Sequence, residues 1–190
     1  MAISGGTEEV RYITGTAGTV PSNPGWYIDL NLPSCATPPC GERVINDPRL
    51  ESGGELVLTT YTPIPPAAGT CNASGSSYLM VLNYATGGSF STPQFDATGD
   101  GKINSSDTVT PTGSVNPVAP VGMSLGLVYA SAPTIRSGSF TSGTGIALIT
   151  ESVPGLGVSG TGTGGATPII QPVILKGSSK SRTAWWEIRQ

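Results

Sequence analysis

Apolar and polar positions alternate along this chain in short runs, and clusters of Gly, Pro, Ser, Thr and Asn separate one run from the next. The alternation in Glu9-Val10-Arg11-Tyr12-Ile13-Thr14 predicts a strand. Gly25-Trp26-Tyr27-Ile28-Asp29-Leu30 predicts a second, with Trp26 and Ile28 on one face and Tyr27 and Asp29 on the other. Gly41 to Pro48 and Arg49 to Ser52 follow, and Gly53-Gly54 joins the latter to Glu55–Thr62, a hairpin signal between β-rich runs. After a Pro/Ala connection from Pro63 to Thr70, Tyr78–Tyr84 is almost continuously apolar, which predicts burial on both faces, and Gly87-Gly88 closes it. Thr108 to Val121 contains Pro111, Pro117 and Pro120 without sustained alternation and reads as loop. Leu125–Ala130, Gly145–Thr150 and Ile169–Leu175 are further predicted strands, and Ser181–Gln190 a terminal one. Gly155–Thr167 is Gly/Thr-rich and reads as a flexible surface loop. No long window carries a 3.6-residue apolar period, so about ten short strands predict an all-β sandwich, barrel or propeller.

Composition narrows the function classes. At 190 residues with 37% hydrophobic content, the chain is expected to be a single all-β domain over residues 1–190 with a sizeable core. The 27 Gly and 17 Pro against 11% charged residues favour strands and turns over helices. A net charge of -3 with no basic patch argues against a nucleic-acid partner. The complete absence of His removes Ser-His and Cys-His nucleophiles and His-bearing zinc sites. No apolar run is long enough for a transmembrane segment, and Glu8, Glu9 and Arg11 interrupt any signal-peptide core after Met1. The chain reads as cytosolic or as a piece of a longer exported protein. Low lysine content and abundant Gly, Ser and Thr favour export. Cys35 and Cys40 bracket a loop short enough for a local disulfide, which leaves Cys71 over, unless Cys71 pairs with one of them.

Charged residues converge at a chemically meaningful spacing in Asp96-Ala97-Thr98-Gly99-Asp100-Gly101-Lys102-Ile103-Asn104-Ser105-Ser106-Asp107. Oxygen ligands at the first, third, fifth, ninth and twelfth places, with a backbone carbonyl from the seventh, make a calcium loop. That assigns Asp96, Thr98, Asp100, Asn104 and Asp107 by side chain and Lys102 by main chain. Gly101 permits the sharp turn, and Ile103 is the expected apolar anchor. Thr98 is neutral where Asp or Asn is usual, and Asp107 is shorter than the usual Glu. Three carboxylates therefore predict moderate affinity for Ca2+, suited to calcium-rich surroundings outside the cell.

The ordered series Gly25–Leu30, Gly41–Pro48, Leu56–Pro63, Tyr78–Leu82 with Gly87-Gly88, and then the loop from Asp96 to Asp107 resembles the C-terminal part of the PilC/PilY type IV pilus tip-adhesin and assembly family. The ending Ser181–Gln190 resembles that family's last strand. The likeness runs from about Gly25 onward and is loose over Thr108–Thr167. It implies antiparallel strands of a β-propeller, partial here because roughly two to three blades is fewer than the usual four. It further implies an extracellular place at the pilus tip or outer cell surface, with pilins or other tip subunits and a host-surface glycan or protein receptor as partners. The implied activity is pilus biogenesis, adhesion and twitching motility, with calcium setting the balance of extension and retraction. The chain would then be a C-terminal fragment, or a short relative that completes its sheet with a partner. The loop by itself also resembles a dockerin repeat, but Thr108-Val109-Thr110-Pro111 opposes the helix a dockerin needs and no second copy exists.

Other candidates have plainer readings. Asp29, Glu42, Asp47, Glu51 and Glu55 could furnish a glycosidase pair, but read better as edge and turn charges, so no enzymatic role is expected. Trp185 and Trp186 could stack on a glycan, or one of them could sit beneath another subunit. Lys176, Lys180 and Arg182 read as a solvated rim. The alternative function is a calcium-dependent glycan-binding or cell-surface β module unrelated to pili.

Overall fold

The computed structural model describes residues 9–13, 25–30, 41–51, 53–64, 74–100, 102–126, 129–137, 144–152 and 167–174. The strands are β1 Val10–Arg11, β2 Arg43–Val44, β3 Arg49–Leu50, β4 Glu55–Ile64, β5 Ser74–Asn83, β6 Gly122–Gly126, β7 Tyr129–Ala130, β8 Thr134–Ser137, β9 Thr144–Ser152 and β10 Thr167–Ile174. A short 3-10 turn, Ser105–Asp107, interrupts them, and there is no α-helix among the described residues. Every strand pair is antiparallel. One sheet runs β1-β6-β5-β4-β2 with β3 also on β4, and the other runs β10-β9-β7 with β8 also on β9.

The long hairpin β4–β5 is the spine of the first sheet, in unbroken register from Glu55↔Asn83 to Ile64↔Ser74. Period-two alternation sends its side chains to two faces. On the first face, Val57, Leu79 and Val81 pack with Phe90, Phe95, Ala97, Val109, Met123, Leu125 and Ala130. On the second, Leu58, Tyr78, Met80 and Leu82 pack with Val121, Ile13, Trp26 and Ile28. Both faces of β5 are therefore covered, as its near-continuous apolar run predicts. Each such large side chain contributes about 1.5–3 kcal/mol on burial.

The turns fall where glycines mark them. Gly54 sits at φ 84°, and its N–H donates to Glu51 O at 3.0 Å, closing the predicted hairpin between β3 and β4. Gly87, at φ 68°, donates to Asn83 O at 2.8 Å, and the Trp26 indole N–H reaches Tyr84 O at 2.7 Å across this turn.

Several expectations need adjustment. Gly25–Leu30 keeps its alternation, Trp26 and Ile28 inward and Tyr27 86% exposed, yet forms no ladder. The predicted strand Leu125–Ala130 is split into β6, which starts earlier at Gly122, and β7, each pairing in a different sheet. β8 was not signalled by its sequence. Neither sheet closes on itself among the described residues and a propeller is not seen; the all-β antiparallel class stands. Cys35, Cys40 and Cys71, residues 155–166 and Ser181–Gln190 lie outside the described residues, while Thr167 begins β10.

Polar bonds tie the two sheets together at β7. Asn46 Nδ2 donates to Ala130 O at 2.9 Å and to Thr59 Oγ1 at 3.0 Å, and Thr59 Oγ1 in turn donates to Ser131 O at 3.1 Å. Tyr61 meets Tyr129 edge to face at 5.4 Å. At the outer side of the second sheet, β10 carries Pro168 and Pro172 opposite Thr150 and Ile146. Prolines are tolerated in a sheet at such an edge, where a ladder does not need their missing N–H.

Candidate metal centre

The segment leading out of the Gly87 turn crosses the first face. Phe95 (0% exposed) and Ala97 are driven into the core there, so the intervening Asp96 and Thr98 stand half-buried at its rim. Val109 anchors the far end, bridged to Val118 with N–H to O distances of 2.9 and 2.8 Å. The loop is thus pinned by Phe95, Ala97 and Val109, while the expected anchor Ile103 is only half-buried. The flanking Phe-x-Ala alternation was the overlooked signal.

Inside the loop, three of the assigned ligands come together. Asp107, fully buried, accepts at Oδ1 from Thr98 N (3.0 Å) and Thr98 Oγ1 (2.9 Å), and at Oδ2 from Asn104 N (2.8 Å). Asp96 Oδ1 accepts from Gly99 N at 2.7 Å, Asp100 N at 3.1 Å and Thr98 Oγ1 at 3.3 Å. The first, third and twelfth places therefore converge on one hydroxyl.

The fifth and ninth places turn locally. Asp100 Oδ1 accepts from Lys102 N at 2.8 Å, and Asn104 Oδ1 accepts from Ser106 N at 2.7 Å. Asn104 is the N-cap of the 3-10 turn and Asp107 bonds back to its N–H, a reciprocal capping box that Asn-x-x-Asp spacing could have announced. Asp100, Lys102 and Asn104 are exposed, and Gly101 lies outside the described residues. Among the described residues, no three His, Cys, Asp or Glu side chains gather as a metal-holding group. The donor set is nevertheless all oxygen and suits a hard cation. Asp96 and Asp107 lean on the same Thr98 hydroxyl, a convergence of like charge that a cation would relieve.

Among the carboxylates weighed for catalysis, Glu51 and Glu55 are near neighbours. Asp29 and Asp47 are exposed, and Glu42 is spent in an ion pair with Arg11, both side chains buried. Burial pushes the Glu51 carboxyl above its ordinary range; Arg49 pulls it back and Glu55 adds to the rise.

No family model matches the chain. A type IV pilus biogenesis factor PilY1 homolog from Xylella fastidiosa is 36% identical over 80 residues, 42% of this chain. The match spans only 5% of that relative's length. The crystal structure of the Pseudomonas aeruginosa PilY1 C-terminal domain overlaps with a TM-score of 0.44 at 21% identity, covering 70% of this chain and 20% of that one. That overlap is too loose to carry weight for fold or site. Among the described residues, no helix is long and apolar enough to cross a membrane.

Proposed function

We propose that this chain is a PilY1-type, calcium-binding module of a pilus-tip adhesin and assembly protein that supports type IV pilus biogenesis, surface attachment and twitching motility. The observation that carries the pilus reading is the 36% identity to a relative named as a type IV pilus biogenesis factor. Its place would be the pilus tip or outer cell surface. Its partners would be pilins or other tip subunits on one side and a surface glycan or protein on the other. In the longer protein, the two open sheets would contribute strands to a β-propeller.

The calcium part of the proposal rests on the loop. Asp96, Thr98, Asp100, Asn104 and Asp107 would hold the ion by side chain and Lys102 by its carbonyl, and the ion would supply charge neutralisation. The protein's own share is a preset frame: Phe95, Ala97 and Val109 fix both ends, and Thr98 holds Asp96 and Asp107 within reach of one centre. The reading requires no chemistry on a substrate. Calorimetric titration of the chain with calcium should give saturable binding that Asp100→Ala abolishes. Unchanged affinity in that variant removes the loop from consideration. Capture of pilins from a piliated lysate in calcium, lost in chelator, supports the assembly role; calcium binding with no pilin captured favours the cell-surface module unrelated to pili.

A further inference from the structure

The second face of the first sheet is apolar at one end and polar at the other. Past Leu58 and Met80, the register sets Thr60 opposite Tyr78, with Thr62 two residues further along the same face. The Arg11 guanidinium lies over the Tyr78 ring, 3.2 Å from its centroid, and donates to Glu42 Oε1. Extending by one residue the register that pairs Arg43 with Tyr61 brings Glu42 level with Thr62. These groups share one neighbourhood, reached from both edges of the sheet.

The bonding there is incomplete. Arg11 Nε, Arg11 Nη2, Glu42 Oε2, Thr60 Oγ1 and Thr62 Oγ1 are all buried without a hydrogen-bond partner among the described residues. Native interiors leave only a few such atoms per hundred residues, and here five of them fall on Arg11, Glu42, Thr60 and Thr62. Their chemistry restricts the ligand: the guanidinium only donates, the carboxylate oxygen only accepts, and the hydroxyls do both. An anion would face Glu42 and a cation would face Arg11. Water serves both and needs only two to four polar partners.

We propose that this end of the second face is an internal hydration site, where ordered water bridges the free edges of Arg11 and Glu42 to the Thr60 and Thr62 hydroxyls. The site is independent of the metal loop, which lies on the opposite face.

The test is magnetic relaxation dispersion of water oxygen-17 on the intact chain, compared with Thr60→Val, Thr62→Val and the conservative Thr60→Ser. Both valine variants are expected to lose part of the slow-water signal and to unfold at lower urea, because bridging water loses a partner, while Thr60→Ser keeps the signal. Valine variants that keep the full signal and unfold at higher urea would mean dry, unsatisfied hydroxyls and overturn the proposal. Equal signal loss in Thr60→Ser would trace the effect to the methyl group and overturn it as well.

Discussion

Replacing Asp107 by Ala should destabilise the chain even in the presence of a chelator, because this carboxylate organises the loop without any ion. It accepts three hydrogen bonds, from Thr98 N at 3.0 Å, Thr98 Oγ1 at 2.9 Å and Asn104 N at 2.8 Å. Those losses are unequal. The Thr98 hydroxyl turns to Asp96 Oδ1, already at 3.3 Å, and the exposed Asn104 N–H recruits solvent. The half-buried Thr98 N–H is left without its acceptor, which costs about 1–3 kcal/mol. The bond from Ser106 N to Asn104 Oδ1 survives the change. A net loss of about 1–3 kcal/mol corresponds to a fall of about 2–12 °C in Tm for a chain of this size. Thermal and urea unfolding in chelator, followed by circular dichroism, measure it. Repeating the scans with calcium at a hundredfold excess over Kd should widen the gap by about 2.7 kcal/mol, since only the parent gains from binding. A variant within about 0.5 kcal/mol of the parent in chelator would refute the structural role.

Two further outcomes follow from the geometry. Gly87→Ala should cost about 2–4 kcal/mol in urea unfolding, because the residue sits at φ 68° and a Cβ there would overlap the Trp26 ring. Burial, and then the hydrogen bond to Glu9, push the Tyr78 hydroxyl from 10.0 up to about 12, with Arg11 acting in the opposite sense. Folding therefore favours the protonated phenol, and this contribution is fully present below pH 10 and disappears as pH rises through about 12. Tyrosinate absorbance against pH should show one late-titrating tyrosine that Tyr78→Phe removes, and stability should fall less steeply in that variant above pH 10.

Much of the first sheet was legible in the sequence. Tyr78–Tyr84 announced a doubly covered strand, and Gly53-Gly54 announced the hairpin that feeds β4. Gly25–Leu30 shows the limit of alternation as a signal: it reports which side chains turn inward and not whether the backbone finds a partner. The division between β6 and β7 was hidden because Leu125–Ala130 reads as one apolar run, whereas sheet assignment depends on partners distant in sequence, Tyr78 opposite Ser124 of β6 and Glu151 opposite Ala130 of β7. In the loop, spacing identified Asp96, Thr98 and Asp107 as a group. It did not reveal that Asp107 also caps Asn104, since one carboxylate serves both purposes with the same residue spacing. Arg11 and Glu42 were invisible as a pair, being far apart in sequence and joined only by the way the sheet brings its edges together.

Among the described residues β10 is the outermost strand of the smaller sheet, which bears on self-association of the chain. A bare β edge invites strands from neighbouring molecules, and each added strand leaves a fresh edge for the next. Pro168 and Pro172 deprive β10 of two backbone donors within eight residues. Copies of this chain that meet at this border are thereby denied an easy route to runaway polymerisation.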